Sequence, residues 1–131
     1  MKFSAAATLF AAGLATASTT AKVTDLSIRD NAGLQSVSFK VDGTTDCTSS
    51  DPSTLAGNGA NACGDGNPPV YTFSVEKNGA SDYQLWLHKN VDGSVRGLNG
   101  GGKAPVYCHA GGNGQNDFVC SQVGDLEVEL Q

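Results

Sequence analysis

The chain is short of clustered positive charge. Its 8 Lys and Arg residues are set against 13 Asp and Glu, and no two of the eight are adjacent. A net charge of −5 without a basic stripe argues against nucleic acid and anionic membranes as partners. Long apolar runs are scarce too. Beyond the amino terminus no segment approaches the length needed to cross a bilayer, so membrane insertion is not expected. Histidine occurs only twice, at His88 and His109, and no Ser sits in a G-x-S-x-G elbow. No N-x-Ser/Thr sequon occurs, so N-glycans are not expected. A convincing helical period is missing throughout.

What is present begins with an export signal. Lys2 supplies a short positive region, Phe3 to Leu14 is apolar and Ala-rich, and Ala15-Thr16-Ala17 fits a small-x-small cleavage site. The stretch is apolar on every face and uncapped, unlike the first helix of a folded domain. Residues 1–17 are therefore expected to be a signal peptide and 18–131 a single secreted domain. Removing 17 of the 131 residues leaves 114, enough for one domain and too few for two. Removing Lys2 leaves 7 basic residues against 13 acidic ones, a net charge of −6.

Four cysteines in a secreted chain of this size read as two disulfides with three possible connectivities. The pairs Cys47/Cys63 and Cys108/Cys120 are local, and each would close a loop between consecutive elements. A staple of this kind contributes about 3 kcal/mol in the chain-entropy model, which matters to a small core. Zinc would need close pairs of the C-x₂₋₄-C kind, whereas fifteen and eleven residues intervene here. His109 beside Cys108 does not repair that, because neighbouring strand residues point to opposite faces.

Period-two runs broken by Gly and Asn fill the rest of the chain. Val23 to Arg29 places Leu26 and Ile28 on one face. Leu34 to Val41 points Val37, Phe39 and Val41 inward, Val70 to Lys77 does so with Tyr71, Phe73 and Val75, and Tyr83 to Val91 with Tyr83, Leu85 and Leu87. Asn78-Gly79 and Asp92-Gly93 are hairpin signals, since type I′ turns need positive φ. The first of these turns reads as longer than two residues. Ser94 to Leu98 is a further strand and Gly100-Gly101-Gly102 a loop. Lys103 to Cys108 and Asp117 to Gln122 form a hairpin, and Gly124 to Gln131 ends the chain with Leu126, Val128 and Leu130 inward. Thr44 to Pro69 is the longest irregular segment, bracketed in large part by Cys47 and Cys63. Roughly eight consecutively joined strands give an all-β fold, a compact antiparallel barrel or sandwich.

Candidate chemistry is sparse. His88 reads as a strand surface residue and His109 as a solvated residue at a hairpin mouth, neither with a stated partner. Glu76, Glu127, Glu129 and the loop aspartates are the candidates for a glycosidase-type carboxylate pair. Alternation puts Glu127 and Glu129 on an outer face, where they serve as solubility charges. Gly57-Asn58-Gly59-Ala60-Asn61-Ala62 fits G-x-G-x-x-A, but no apolar strand precedes it. Gly111-Gly112-Asn113-Gly114 lacks the Lys-Ser/Thr of a phosphate loop. Asp42, Asp46, Asp51 and Asp65 miss the EF-hand order, which leaves at most a weak calcium site. Trp86, opposite Tyr83, Leu85 and Leu87 on its strand, is either a sugar-stacking residue or cover for a second apolar layer. No catalytic, cofactor or metal residues are assigned.

One run carries a specific likeness. Tyr107-Cys108-His109-Ala110-Gly111-Gly112-Asn113-Gly114-Gln115-Asn116-Asp117-Phe118-Val119-Cys120 resembles a signature of the secreted fungal family named for the major allergen of Alternaria. Cys47, Cys63-Gly64 and Tyr71-Thr72-Phe73-Ser74-Val75 look like that family's first disulfide and the strand after it. The resemblance implies a compact β-barrel with two intrachain disulfides, pairing Cys47 with Cys63 and Cys108 with Cys120. It also implies secretion, and activity as an allergen or as an elicitor of plant defence and local cell death. The implied partner is a plant extracellular or membrane protein, such as a thaumatin-like pathogenesis-related protein. No catalytic activity follows from it. The rival reading is a small secreted carbohydrate-active enzyme or an inhibitor of host proteins. The allergen's additional cysteine near its mature amino terminus has no counterpart before Cys47, so a monomer or noncovalent dimer is expected.

Overall fold

The computed structural model describes residues 19–56, 59–91 and 97–131. The expected signal at 1–17 and the Asp92-Gly93 turn lie outside the described residues. Among the described residues ten strands and one short helix follow in order: β1 (Thr19–Asn31), β2 (Leu34–Val41), β3 (Thr45–Ser49), α1 (Pro52–Ala56), β4 (Asn61–Cys63), β5 (Tyr71–Lys77), β6 (Tyr83–Asn90), β7 (Gly97–Lys103), β8 (Val106–Ala110), β9 (Asp117–Gln122) and β10 (Leu126–Leu130). They form one antiparallel sheet in the order β7-β6-β5-β4-β3-β2-β1-β9-β8, with β10 also paired to β1. The sheet curls until its β7 end meets the β10 branch. Asn99 on β7 and Gln131 after β10 exchange two backbone bonds of 3.0 Å each, which brings β10 against β7 in an incompletely closed barrel.

β1 organises this closure. One of its edges runs along β2, while the other is split, with Thr19–Val23 against β10 and Ser27–Asn31 against β9. At the split Asp25 takes φ 57° and the β2 register slips by one residue. A bulge of this kind adds one residue and flips the side-chain parity. Ala21 and Val23 therefore share the interior with Leu26, Ile28 and Asp30. The Gln122 side chain fills the seam, accepting from the Leu26 amide at 3.0 Å and donating to Val23 and Gly124 carbonyls at 3.0 and 2.8 Å.

The inward residues expected on β2, β5, β6 and β10 are all buried. Phe39 and Phe73 meet edge to face at 4.9 Å between ring centres. Two expectations need correction. The supposedly irregular 44–69 segment holds β3, α1 and β4, and Cys47 pairs directly with Cys63 in register. β3 turns only one inward residue, Cys47, to the core, too few to show a period. Gly100-Gly101-Gly102 is no loop either; it is the middle of β7, opposite Leu87, Trp86 and Leu85. A side chain at Gly100 would run into the Glu129 carbonyl where β10 crosses, so glycine there is a packing requirement rather than a turn signal.

Candidate functional site

The end of the barrel that carries the β1–β2 turn, the β5–β6 turn and the β8–β9 loop is built on two fully buried carboxylates. Asp30 and Asp117 are both 0% exposed, and β1–β9 pairing sets Asp30 opposite Phe118 and Asn31 opposite Asp117. Neither is left to desolvation alone. Asp30 accepts from the Tyr83 hydroxyl at 2.6 Å, from the Gly33 amide at 2.9 Å, and from Lys77 Nζ, which lies 2.9 Å from Oδ2. Burial pushes this carboxyl up, but the bonds from Tyr83, Lys77 and Gly33 outweigh it and hold the group below its ordinary value. The Tyr83 phenol moves the other way, far above its ordinary value, through burial and the neighbouring carboxylate.

Asp117 receives a two-pronged contact from Arg29, Nε at 3.1 Å and NH2 at 3.0 Å, and a third bond from the Asn113 amide at 3.0 Å. The guanidinium bond lowers its pKa, and burial only partly opposes that. The carboxylate thereby reaches across the mouth of its own hairpin loop. Gly111 N–H donates to the Asp117 carbonyl at 2.8 Å, and Ala32 N–H donates to the Asn116 carbonyl at 3.2 Å, which ties the loop to the β1–β2 turn. At the loop's base Cys108 and Cys120 are direct cross-strand partners and are disulfide-bonded, Cα to Cα 4.0 Å. The second bond, Cys47–Cys63, likewise joins paired residues, Cα to Cα 4.2 Å. Gly112 and Gly114 hold φ of 95° and 112°, conformations that residues with side chains rarely adopt.

The remaining candidates are dispersed. His109 is exposed on β8, opposite Val119. His88 has ring nitrogens 2.7 Å from the Asn99 side chain and 2.8 Å from that of Asn90. Glu127 and Glu129 lie on the outer face of β10, and Glu76 bonds the Trp86 indole at 3.3 Å. Asp42 accepts from the Lys22 amide, Asp46 pairs with Lys40 at 2.8 Å, and Asp51 caps α1 through Ser53. Among the described residues no three His, Cys, Asp or Glu side chains gather as a metal cage. The structure brings together Asp30, Lys77 and Tyr83, a set the sequence reading did not single out. The signal was there: Asp30 occupies the inward position after Leu26 and Ile28, where an apolar residue would stand.

The architecture and the braced loop end define a class: small disulfide-stapled β-barrels that present ordered loops. The match to known families is more specific. Residues 23–120 fit the model of the family described as Alternaria alternata allergen 1, and this chain belongs to that family. A crystal structure of the Alternaria alternata allergen Alt a 1 superposes with TM-score 0.62 at 27% identity, covering 86% of this chain and 87% of that one. A second crystal structure of the same major allergen gives TM-score 0.60 at 26% identity, over 86% and 92% of the two chains. No curated protein matches the chain by sequence.

Proposed function

We propose that this is a secreted recognition protein, exported through residues 1–17, whose braced loop end is read by a plant extracellular or membrane protein and thereby triggers defence responses. A thaumatin-like pathogenesis-related protein is the partner class to test first. Recognition in this reading involves no turnover. The observation that carries it is the state of the 111–116 loop. It is stapled at its base by Cys108–Cys120, bonded internally by the Asp117 carboxylate, and tied outward to Ala32. A loop ordered in advance loses little conformational entropy on binding, and loops on a rigid scaffold are where recognition residues concentrate.

The test is infiltration of purified mature protein into leaves, alongside capture of apoplastic proteins on the immobilised chain. Combined replacement of Asn113, Gln115 and Asn116 by Ala should reduce both cell death and capture. Replacement of His88, His109, Glu76, Glu127 or Glu129 one at a time should leave most of the response, because a recognition surface spreads its energy over several side chains. Loss of the response on removing one of those five, with circular dichroism unchanged, would overturn the reading and favour an enzyme.

A further inference from the structure

The outer wall formed by β5, β6 and β7 carries the features of a separate binding site. Trp86 is the single tryptophan of the chain, and it is 45% exposed at the centre of that wall. Its indole is held at both edges. On the β5 side Nε1 donates to Glu76, and on the β7 side the six-membered ring lies over Gly101, where any side chain would strike Cε3. A ring that reaches the strand on each side of its own spans the wall while nearly half its surface stays open to water. The glycine at 101 makes room for that posture.

Hydrogen-bonding groups surround the ring. Ser74 is its cross-strand neighbour on β5, with Thr72 and His88 next along, and Asn99 faces His88 from β7. Thr72, Ser74, Trp86, His88 and Asn99 share the wall of a recess of about 160 Å³, on the scale of one sugar ring. Charge is sparse here, and Lys103 is already shared with Asp82, 3.9 Å from its Nζ. Glu76 and Lys103 are the two ionised side chains that alternation places on this stretch of the wall.

We infer that this wall binds a neutral β-linked polysaccharide, with one pyranose stacked on Trp86. The axial C–H bonds of such a ring present a weakly positive face to the negative face of the indole. Its hydroxyls then meet the Asn99 amide and the Thr72 and Ser74 hydroxyls. A flat platform selects a chain that is itself flat, as β-1,4-linked glycans are, over a coiled α-linked one. With Glu76 on the wall and Lys103 shared with Asp82, polyuronates are disfavoured. This site is independent of the loop end, and its failure would leave that proposal standing.

The measurement uses the lone indole as reporter. Mature protein is titrated with cellohexaose, xylohexaose and chitohexaose, which separate plant-wall from fungal-wall sources, and with maltohexaose and polygalacturonate as comparators. A saturable change in tryptophan fluorescence with at least one β-linked oligomer, and a weaker one with both comparators, is expected. Co-sedimentation with the matching insoluble polymer should fall at least about tenfold for Trp86→Ala. Asn99→Ala keeps the reporter and should weaken titrations by about two- to tenfold, the worth of one hydrogen bond. Melting curves confirm that both variants fold; if Trp86→Ala does not, the Asn99→Ala titration decides. Absence of any β-glycan effect on the native protein overturns the inference. So does equal binding by the folded variants, equal binding of polygalacturonate, or a response to apoplastic peptides alone.

Discussion

Asp30→Asn is the most informative perturbation, because it removes one charge from the interior and changes almost no volume. In the native protein the carboxylate holds the Tyr83 hydroxyl at 2.6 Å, the Gly33 amide at 2.9 Å and Lys77 Nζ at 2.9 Å. The amide oxygen of Asn can still take Gly33, and the phenol can rotate to accept from the amide nitrogen. What is lost is the charge-assisted part of two bonds, about 1.5–3 kcal/mol for a bond to a charged group. The Lys77 share must be discounted, since its side chain is 34% exposed and can return to water. A loss of about 2–3 kcal/mol at neutral pH follows. For a domain of this size that is a fall of roughly 6–15 °C in Tm. Urea unfolding followed by circular dichroism, repeated across pH, supplies the decisive control. The Asp30 pKa is held below its ordinary value of 3.8 in the fold, so its contribution is complete above that value. It disappears as pH falls through the lower native pKa, where a protonated Asp resembles Asn. The gap between native and variant should therefore close in acid. A difference under about 0.5 kcal/mol at pH 7, or one that persists unchanged to pH 2, would refute this account of the buried carboxylate.

Four further outcomes are expected. Replacing Cys108 and Cys120 together by Ser should cost about 2–5 kcal/mol, read by thermal unfolding with and without reductant. Peptide mapping of the unreduced native chain should show Cys47–Cys63 and Cys108–Cys120 separately, and non-reducing electrophoresis a single monomer band. Asp117→Ala should free the 111–116 loop, and amide hydrogen exchange at Gly111 and Asn113 should accelerate while β2 and β5 amides stay protected. Gln122→Ala opens the β9–β10 seam at the Leu26 amide and Val23 carbonyl, and should lower stability by about 1–3 kcal/mol in denaturant titration.

Much of the barrel was legible because its walls alternate cleanly. Val37, Phe39 and Val41, then Tyr71, Phe73 and Val75, then Tyr83, Leu85 and Leu87 announce inward faces that the fold buries. β1 was only partly legible. Its parity changes at Asp25, so Val23 and Leu26 share the interior though three residues apart, and a strict period of two cannot express that. β4, with three residues, is too short to carry a pattern. The glycine run of β7 misled for a different reason. Glycine is ordinarily read as freedom of the backbone, whereas Gly100 and Gly101 are there because Glu129 and Trp86 leave no space for a Cβ. Only the paired strands show that crowding. At the loop end, the motif from Tyr107 to Cys120 was visible as a run of residues. The partnership of Asp117 with Arg29 spans 88 positions and had no local signature.

The same geometry constrains what this protein can bind. Side chains as large as Phe39, Phe73 and Tyr83 are buried in the core, as is usual for a barrel of few strands. The polar groups turned inward are consumed: Asp30 by Lys77 and Tyr83, Asn61 by Thr54 and the Phe73 carbonyl. Among the described residues the surfaces left for a ligand are loops and the outer wall, where the sheet offers broad contact and shallow enclosure. Shallow sites yield little affinity per small molecule, because they bury only part of its surface. They become effective when the partner is itself extended, a protein surface or a polymer that engages several groups at once. Both proposed partners have that character. Variants at buried polar positions should therefore act through stability, and variants at Asn113, Gln115, Asn116 or Trp86 through binding, with little overlap between the two sets.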